Sequence, residues 1–323
     1  MASFNLEPSA RELTEAIAKG PSLSGVSLVQ ARQAVEAAQS APIPMPEVDE
    51  SWVTVPSAFG DFTVRIVRPP GSTGPLPAIL YLHGGGWILG SWITHDLLTR
   101  RLAVGANAAV VFVEYSRAPE AKYPVQLEQC YAAAQWITEQ GAGGGFDSTR
   151  IAVAGDSAGG NLATVLALLA KQRGSVRFVH QSLYYPMTDA DATDSESLRK
   201  FKDGPYGSAD GLAWFWNSYL AAAQSRTDVL VSPLRATLAE LAGLPPALVI
   251  VDENDLLRDQ GEAYADKLRA AGVPTTSVRF NGTIHDFMRL NALRDSESTR
   301  AAITLAVDAL RRAFDSPESK EKP

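Results

Sequence analysis

The spacing of apolar and polar positions changes several times along the chain. Residues 8–40 carry apolar side chains at helical spacing, with Leu6, Leu13 and Ile17 in one stripe and Val29, Val35 and several alanines in another. Ala41-Pro42-Ile43-Pro44-Met45-Pro46 then breaks any helix, because proline lacks the amide and clashes with the preceding turn. The pattern predicts a helical arm over residues 1–46, joined to the main body by a linker. Apolar runs at 52–55 and 62–68 follow, separated by a turn containing Phe59-Gly60-Asp61, and read as an antiparallel hairpin. Further runs at 78–82, 110–115, 151–154, 179–185, 247–252 and 276–280 are mostly continuous, as in parallel strands buried on both faces. Helical patterns at 94–105, 124–140, 158–172, 260–271 and 294–313 alternate with them. This alternation predicts an α/β fold with an eight-stranded, mostly parallel sheet and helices on both faces.

One long segment departs from the alternation. Residues 187–244 show no strand pattern but carry Trp214, Phe215, Trp216 and Tyr219 in a helical stretch. Ligands bind at the carboxyl ends of strands in open α/β sheets, so an insertion there is expected to act as a cap. The expected organisation is a catalytic body at 47–186 and 245–315, cap segments at 1–46 and 187–244, and a flexible tail at 316–323. The run Gly141–145 is too irregular for a phosphate loop and reads as a connection between helix and strand.

Composition narrows the class. Of 323 residues, 46% are hydrophobic and 20% charged, enough apolar surface to rule out disorder as the main state. A single cysteine, Cys130, rules out an internal disulfide framework and a multi-cysteine zinc site. The net charge of −7 argues against a partner whose phosphates must be neutralised, so no nucleic acid is expected. The first twenty residues lack the apolar core of a signal peptide, and no apolar run could span a bilayer. The expectation is a cytoplasmic protein without a membrane partner.

The chemistry concentrates in Gly155-Asp156-Ser157-Ala158-Gly159-Gly160, between a predicted strand and a predicted helix. A G-x-S-x-G run in that context is a nucleophile elbow, a sharp turn that presents the serine. The plainer reading is a glycine-rich turn in which Ser157 caps the helix. A serine hydroxyl needs a base to take its proton, and the base needs an orienting acid. Of four histidines (His83, His95, His180 and His285) only His285 follows the last strand, at the same sheet edge as the elbow. His180 reads as structural and His95 as a surface or capping residue at a helix start. For the acid, Asp255 lies in the loop after a strand and is preferred to Asp252, still on the strand, and Asp259, already entering a helix. His83-Gly84-Gly85-Gly86-Trp87 follows another strand, and glycines there would let backbone amides approach a developing oxyanion.

Taken together, these motifs resemble the hormone-sensitive lipase family of α/β-hydrolases, in its GDSAG-type bacterial carboxylesterase subgroup. The likeness runs through HGGGW at 83–87, Tyr115-Ser116-Arg117-Ala118-Pro119-Glu120 with Tyr123-Pro124, GDSAGG at 155–160, the stretch 255–259 and His285-Asp286-Phe287. The resemblance implies Ser157 as nucleophile, His285 as base and Asp255 as acid, with the amides of Gly85, Gly86 and Ala158 as oxyanion hole. It also implies both helical segments as a cap, short- to medium-chain acyl esters as small-molecule substrates, and a homodimer formed near the 276–280 strand. Neither metal nor organic cofactor is required. Trp87, Phe201, Tyr206, Trp214 and Phe215 are the candidate pocket walls. The family commonly has Pro where Leu256 stands, Gly at Asp286 and Leu at Arg117. Asp286 beside the base would raise its affinity for a proton. The same machinery would also serve an amidase or deacetylase, while a non-catalytic receptor is disfavoured by the intact triad residues.

Overall fold

The computed structural model describes residues 4–20, 23–192 and 194–316. Its strands are β1 (Asp49–Val55), β2 (Phe62–Arg68), β3 (Leu76–Leu82), β4 (Ala109–Glu114), β5 (Phe146–Asp156), β6 (His180–Tyr184), β7 (Ala247–Asn254) and β8 (Thr275–Ile284). Helices α1 (Pro8–Ile17) and α2 (Leu28–Gln39) precede the sheet. Between strands lie α3 (Trp92–Ala106), α4 (Val125–Gln140), α5 (Ala158–Arg173), α6 (Glu196–Phe201), α7 (Ala209–Tyr219), α8 (Leu238–Leu241) and α9 (Arg258–Ala270), and α10 (Glu297–Asp315) follows β8. The expected flexible tail falls, from residue 317 on, outside the described residues.

All eight strands form one sheet in the order β1-β2-β4-β3-β5-β6-β7-β8. β2 pairs antiparallel with both β1 and β4, and every other pairing is parallel. The mostly parallel sheet is buried because helices cover both faces. In β3 every residue is buried, and successive side chains enter opposite layers. Ala78, Leu80 and Leu82 belong to the core layer that also holds Cys130 of α4, Leu166 of α5 and Tyr264 of α9. Ile79 and Tyr81 belong to the second layer, with Leu98 of α3 and Leu310 of α10. This strand periodicity of two explains why the apolar runs were continuous. Each large aliphatic side chain buried there contributes about 1.5–3 kcal/mol.

The 187–244 region contains no strand among its described residues and holds α6, α7 and α8. Ser208 caps α7 by accepting from the Gly211 amide at 3.1 Å. Trp216 and Tyr219 are buried on one side of α7. Trp87 lies beneath them, stacked on Tyr219 with ring centroids 4.0 Å apart. α2 starts with a capping box in which Ser27 and Gln30 bond reciprocally. Farther along it, Arg32 donates to the Ile88 carbonyl at 2.9 Å and the Ala118 carbonyl at 3.0 Å, and forks onto Glu120 at 2.7 and 2.8 Å. One side chain thus ties the N-terminal arm to two loops of the body. Among the described residues no helix is long and apolar enough to cross a membrane.

Candidate active site

β5 ends at Asp156 and α5 begins at Ala158, leaving Ser157 to turn the chain with φ 54° and ψ −117°. A non-glycine residue is rarely held with positive φ, and such strain persists only where its surroundings over-determine it. Here the Ser157 amide donates to the Tyr184 carbonyl at 2.9 Å, and the Met187 amide donates to the Ser157 carbonyl at 3.2 Å. Gly159 is required because a Cβ there would collide with the Leu82 carbonyl oxygen.

Three loops at the carboxyl ends of β5, β7 and β8 converge. Ser157 Oγ and His285 Nε2 lie 2.9 Å apart, and His285 Nδ1 lies 2.8 Å from Asp255 Oδ2. The other Asp255 oxygen accepts from the Leu257 amide at 2.8 Å, which fixes the carboxylate. Asp252 is fully buried, with no hydrogen-bond partner for either oxygen among the described residues. Burial, and then the charge of Asp255, push its carboxyl well above the ordinary range. Asp259 turns away to accept from the Ser197 amide at 2.7 Å. Of the three candidate acids, Asp255 is the one that meets the histidine. Asp252, Asp255 and His285 bring possible ligand atoms within 4.8 Å of one another. Both ring nitrogens are already engaged, by Asp255 and Ser157, so no ring lone pair is left for a cation.

Burial works against a charged His285, yet the Asp255 and Asp286 carboxylates outweigh it and raise its affinity for a proton above the ordinary value of 6.5. Asp286 Oδ1 stands 3.7 Å from His285 Nε2. Tyr206 donates to Asp286 Oδ2 at 3.2 Å, and Arg289 pairs with that same oxygen.

The glycine run after β3 curls beside the elbow. Gly85 and Gly86 have φ of 101° and 61°. Among the described residues their amides donate to no protein acceptor. Ala158, the first residue of α5, likewise has no partner within its helix. Beneath this loop Asp156 Oδ1 accepts from the Gly84 amide at 3.0 Å and the Tyr81 hydroxyl at 2.8 Å. Its other oxygen meets His95 Nε2 at 3.1 Å. Burial alone would raise Asp156, but His95, Arg289 and Tyr81 hold it well below the ordinary carboxylate range. His95 is therefore not the surface or capping residue expected from its position at a helix start, because it is 1% exposed and its ring is spent on Asp156. His83 is buried and stacked on Tyr115 with centroids 4.1 Å apart, and burial lowers its proton affinity to about 3. His180 is buried at the start of β6, as its structural reading required.

A cavity of about 570 Å³ opens onto Ser157 and His285. Leu13 and Ile17 of α1, Val35 and Ala38 of α2, and Leu212, Trp214 and Phe215 of α7 form much of its wall. Tyr206 and Asp286 also line it. Trp87 and Phe201, expected in the wall, are corrected. Trp87 is fully buried against Trp216 and Tyr219, and Phe201 is 1% exposed, packed on Phe4 and under Arg258. A larger cavity of about 750 Å³ lies at the opposite ends of the strands, along His180, Ala247 and Thr275, away from Ser157. It has no part in this convergence of loops. Arg289 and His95 are the site residues that sequence reasoning did not place, whereas Asp286 stands out in the sequence as a departure from glycine beside the histidine.

An eight-stranded sheet with a serine elbow and a histidine after the last strand defines an α/β-hydrolase. A model of the alpha/beta hydrolase fold family matches residues 79–289, and the chain belongs to that family. It is similar to a carboxylesterase of Mycobacterium tuberculosis, at 40% identity over 255 residues covering 79% of each chain. An ethyl acetate hydrolase of Pseudomonas putida is 38% identical over 252 residues, covering 77% of this chain and 78% of its own. Among solved structures, a thermostable esterase from Pseudomonas putida superposes with a TM-score of 0.94 at 39% identity, covering 98% of this chain and all of that one.

Proposed function

We propose that the chain hydrolyses short- to medium-chain acyl esters through an acyl-enzyme on Ser157, as a GDSAG-type member of the hormone-sensitive lipase group. It is a carboxylic ester hydrolase, a class carried by its family and by esterase relatives of near-equal length. The single observation that supports the mechanism is the pair of contacts on one imidazole, 2.9 Å to Ser157 and 2.8 Å to Asp255.

In the first half-reaction His285 Nε2 takes the Ser157 proton as Oγ attacks the ester carbonyl carbon. The carbonyl electrons move to oxygen, and the amides of Gly85, Gly86 and Ala158, which have no protein acceptor among the described residues, would receive that charge. Collapse breaks the bond to the leaving alcohol, which takes the proton from Nε2. Water then repeats the sequence on the acyl-enzyme, with His285 as base, and releases the acid. Asp255 keeps the proton of the neutral ring on Nδ1 and stabilises the imidazolium. Helices α1, α2 and α7 serve as the cap, and the apolar wall they form fits a short acyl chain better than an extended lipid. Two copies would pair along β8, the edge strand.

Nitrophenyl esters of increasing acyl length test the reading. The expected result is a maximum below about ten carbons and a loss of about a million-fold in turnover for Ser157→Ala, the scale seen for a triad serine. A purified Ser157→Ala protein that kept most of its activity would overturn the mechanism. A faster rate on matched anilides than on esters would make the chain an amidase instead.

A further inference from the structure

The acid beside the base raises a difficulty for the mechanism. A carboxylate 3.7 Å from Nε2 stabilises the imidazolium and attracts the proton that the leaving alcohol needs. Asp286 is 5% exposed, so water does little to screen it. Its Oδ1 faces His285 without a hydrogen-bond partner among the described residues, while Oδ2 is taken by Tyr206 and Arg289. Arg289 is itself buried, and its own backbone carbonyl accepts from Gln39 at 2.9 Å. The guanidinium has a second carboxylate on its other side, with Nε 3.9 Å from Asp156 Oδ2 and no hydrogen bond of its own. Asp156 in turn holds the Gly84 amide at the root of the oxyanion loop. One cation therefore lies between the acid that touches the base and the acid that holds the loop.

We propose that Arg289 is a positioning residue for His285: by offsetting the charge of Asp286 it limits how far that carboxylate raises the proton affinity of the base, and it couples that control to the Asp156 support of the oxyanion loop. The proposal rests on His285 acting as the base of Ser157. Other groups also face the ring. Asp255 and Asp252 come from the end of β7, Ser157 from the elbow, Tyr185 edge-on at 4.9 Å from the end of β6, and Tyr206 at 6.4 Å from the stretch before α7. Arg289 is faced by Asp286, Asp156 and Tyr206. Of the groups around the imidazole, Asp286 alone is balanced by a buried cation. Charge removal at the two positions should therefore act in opposite directions. Without Asp286 the remaining guanidinium disfavours the imidazolium. Without Arg289 the bare Asp286 carboxylate favours it.

The test is the pH dependence of kcat/KM on nitrophenyl acetate for the full chain and for Asp286→Asn, Arg289→Met and the double variant. The acid limb should move to lower pH in Asp286→Asn and to higher pH in Arg289→Met, each by about one pH unit or more. The double variant should return close to the parent, and Arg289→Lys should stay within a few tenths of it. If Arg289→Met does not fold, Arg289→Lys and Asp286→Asn carry the test. Limbs that stay in place while rates fall would assign Arg289 to packing and overturn the proposal, as would shifts of the same sign. Ser157→Ala, assayed alongside, separates the two claims: a dead Ser157→Ala with unmoved limbs defeats only this inference, whereas an active one defeats the mechanism beneath it.

Discussion

Asp156, the residue immediately before Ser157, meets His95 Nε2 at 3.1 Å in a contact buried from solvent on both sides. The same carboxylate carries the Gly84 amide and the Tyr81 hydroxyl. The elbow and the glycine loop after β3 are therefore joined by one side chain. Asp156→Asn must either turn its amide NH2 toward His95 or give up the Gly84 and Tyr81 bonds. A buried hydrogen bond to a charged group of this kind is worth about 1.5–3 kcal/mol. Thermal or urea denaturation at neutral pH should show that loss. Because the folded Asp156 is depressed below its ordinary 3.8, its contribution is present above that pH and fades as pH falls below it. The parent should lose stability on acidification there, and the variant should lose less.

If His285 is the base of Ser157 it must be neutral to accept the proton, and Asp255 and Asp286 raise its proton affinity. Activity should thus be lost as pH falls through a midpoint above 6.5, the ordinary histidine value. A pH-stat series of kcat/KM reads this directly. A midpoint at or below 6.5 would mean that the carboxylates do not act on the ring as their distances require.

Arg32 holds the N-terminal arm through the Ile88 and Ala118 carbonyls and Glu120. Arg32→Ala leaves those carbonyls without their donor, and each charge-assisted bond is worth about 1.5–3 kcal/mol. Limited proteolysis should cut the proline-rich 41–46 linker several-fold faster, and KM should rise as the wall built by α1 and α2 loosens. An unchanged cleavage rate would show that the arm is held by its apolar contacts alone.

Phe215 packs over Gly86, where a Cβ would collide with its ring. Phe215→Ala should open the cavity beside the oxyanion loop. The octanoate-to-acetate ratio of kcat/KM should increase about tenfold, equivalent to ~1.4 kcal/mol in the barrier. A ratio that falls would place the acyl chain elsewhere in the cavity.

The strands were legible because both faces of the sheet are buried. β2 matches its apolar run at 62–68, while β5 and β8 extend beyond theirs, through Asp147, Arg150 and Asn281, residues that no apolar pattern would include. The elbow, Asp255 and His285 could be placed because each follows a strand, and all such ends share one edge of a parallel sheet. Trp87 and Phe201 misled because an aromatic residue near a site in sequence can equally point into the core, as both do. The pairing of His95 with Asp156, and the part played by Arg289, escaped notice for a different reason. His95 and Asp156 lie 61 positions apart, and no periodicity encodes a buried polar pairing at that separation.

The central claim is that Ser157 is the nucleophile. Treating the protein with a fluorophosphonate and mapping the adduct by peptide mass spectrometry tests it most directly. One label per chain on the peptide carrying Ser157, absent after Ser157→Ala and suppressed by His285→Ala, is the predicted result. A label on another residue, or no label in a protein that still hydrolyses nitrophenyl acetate, would contradict it.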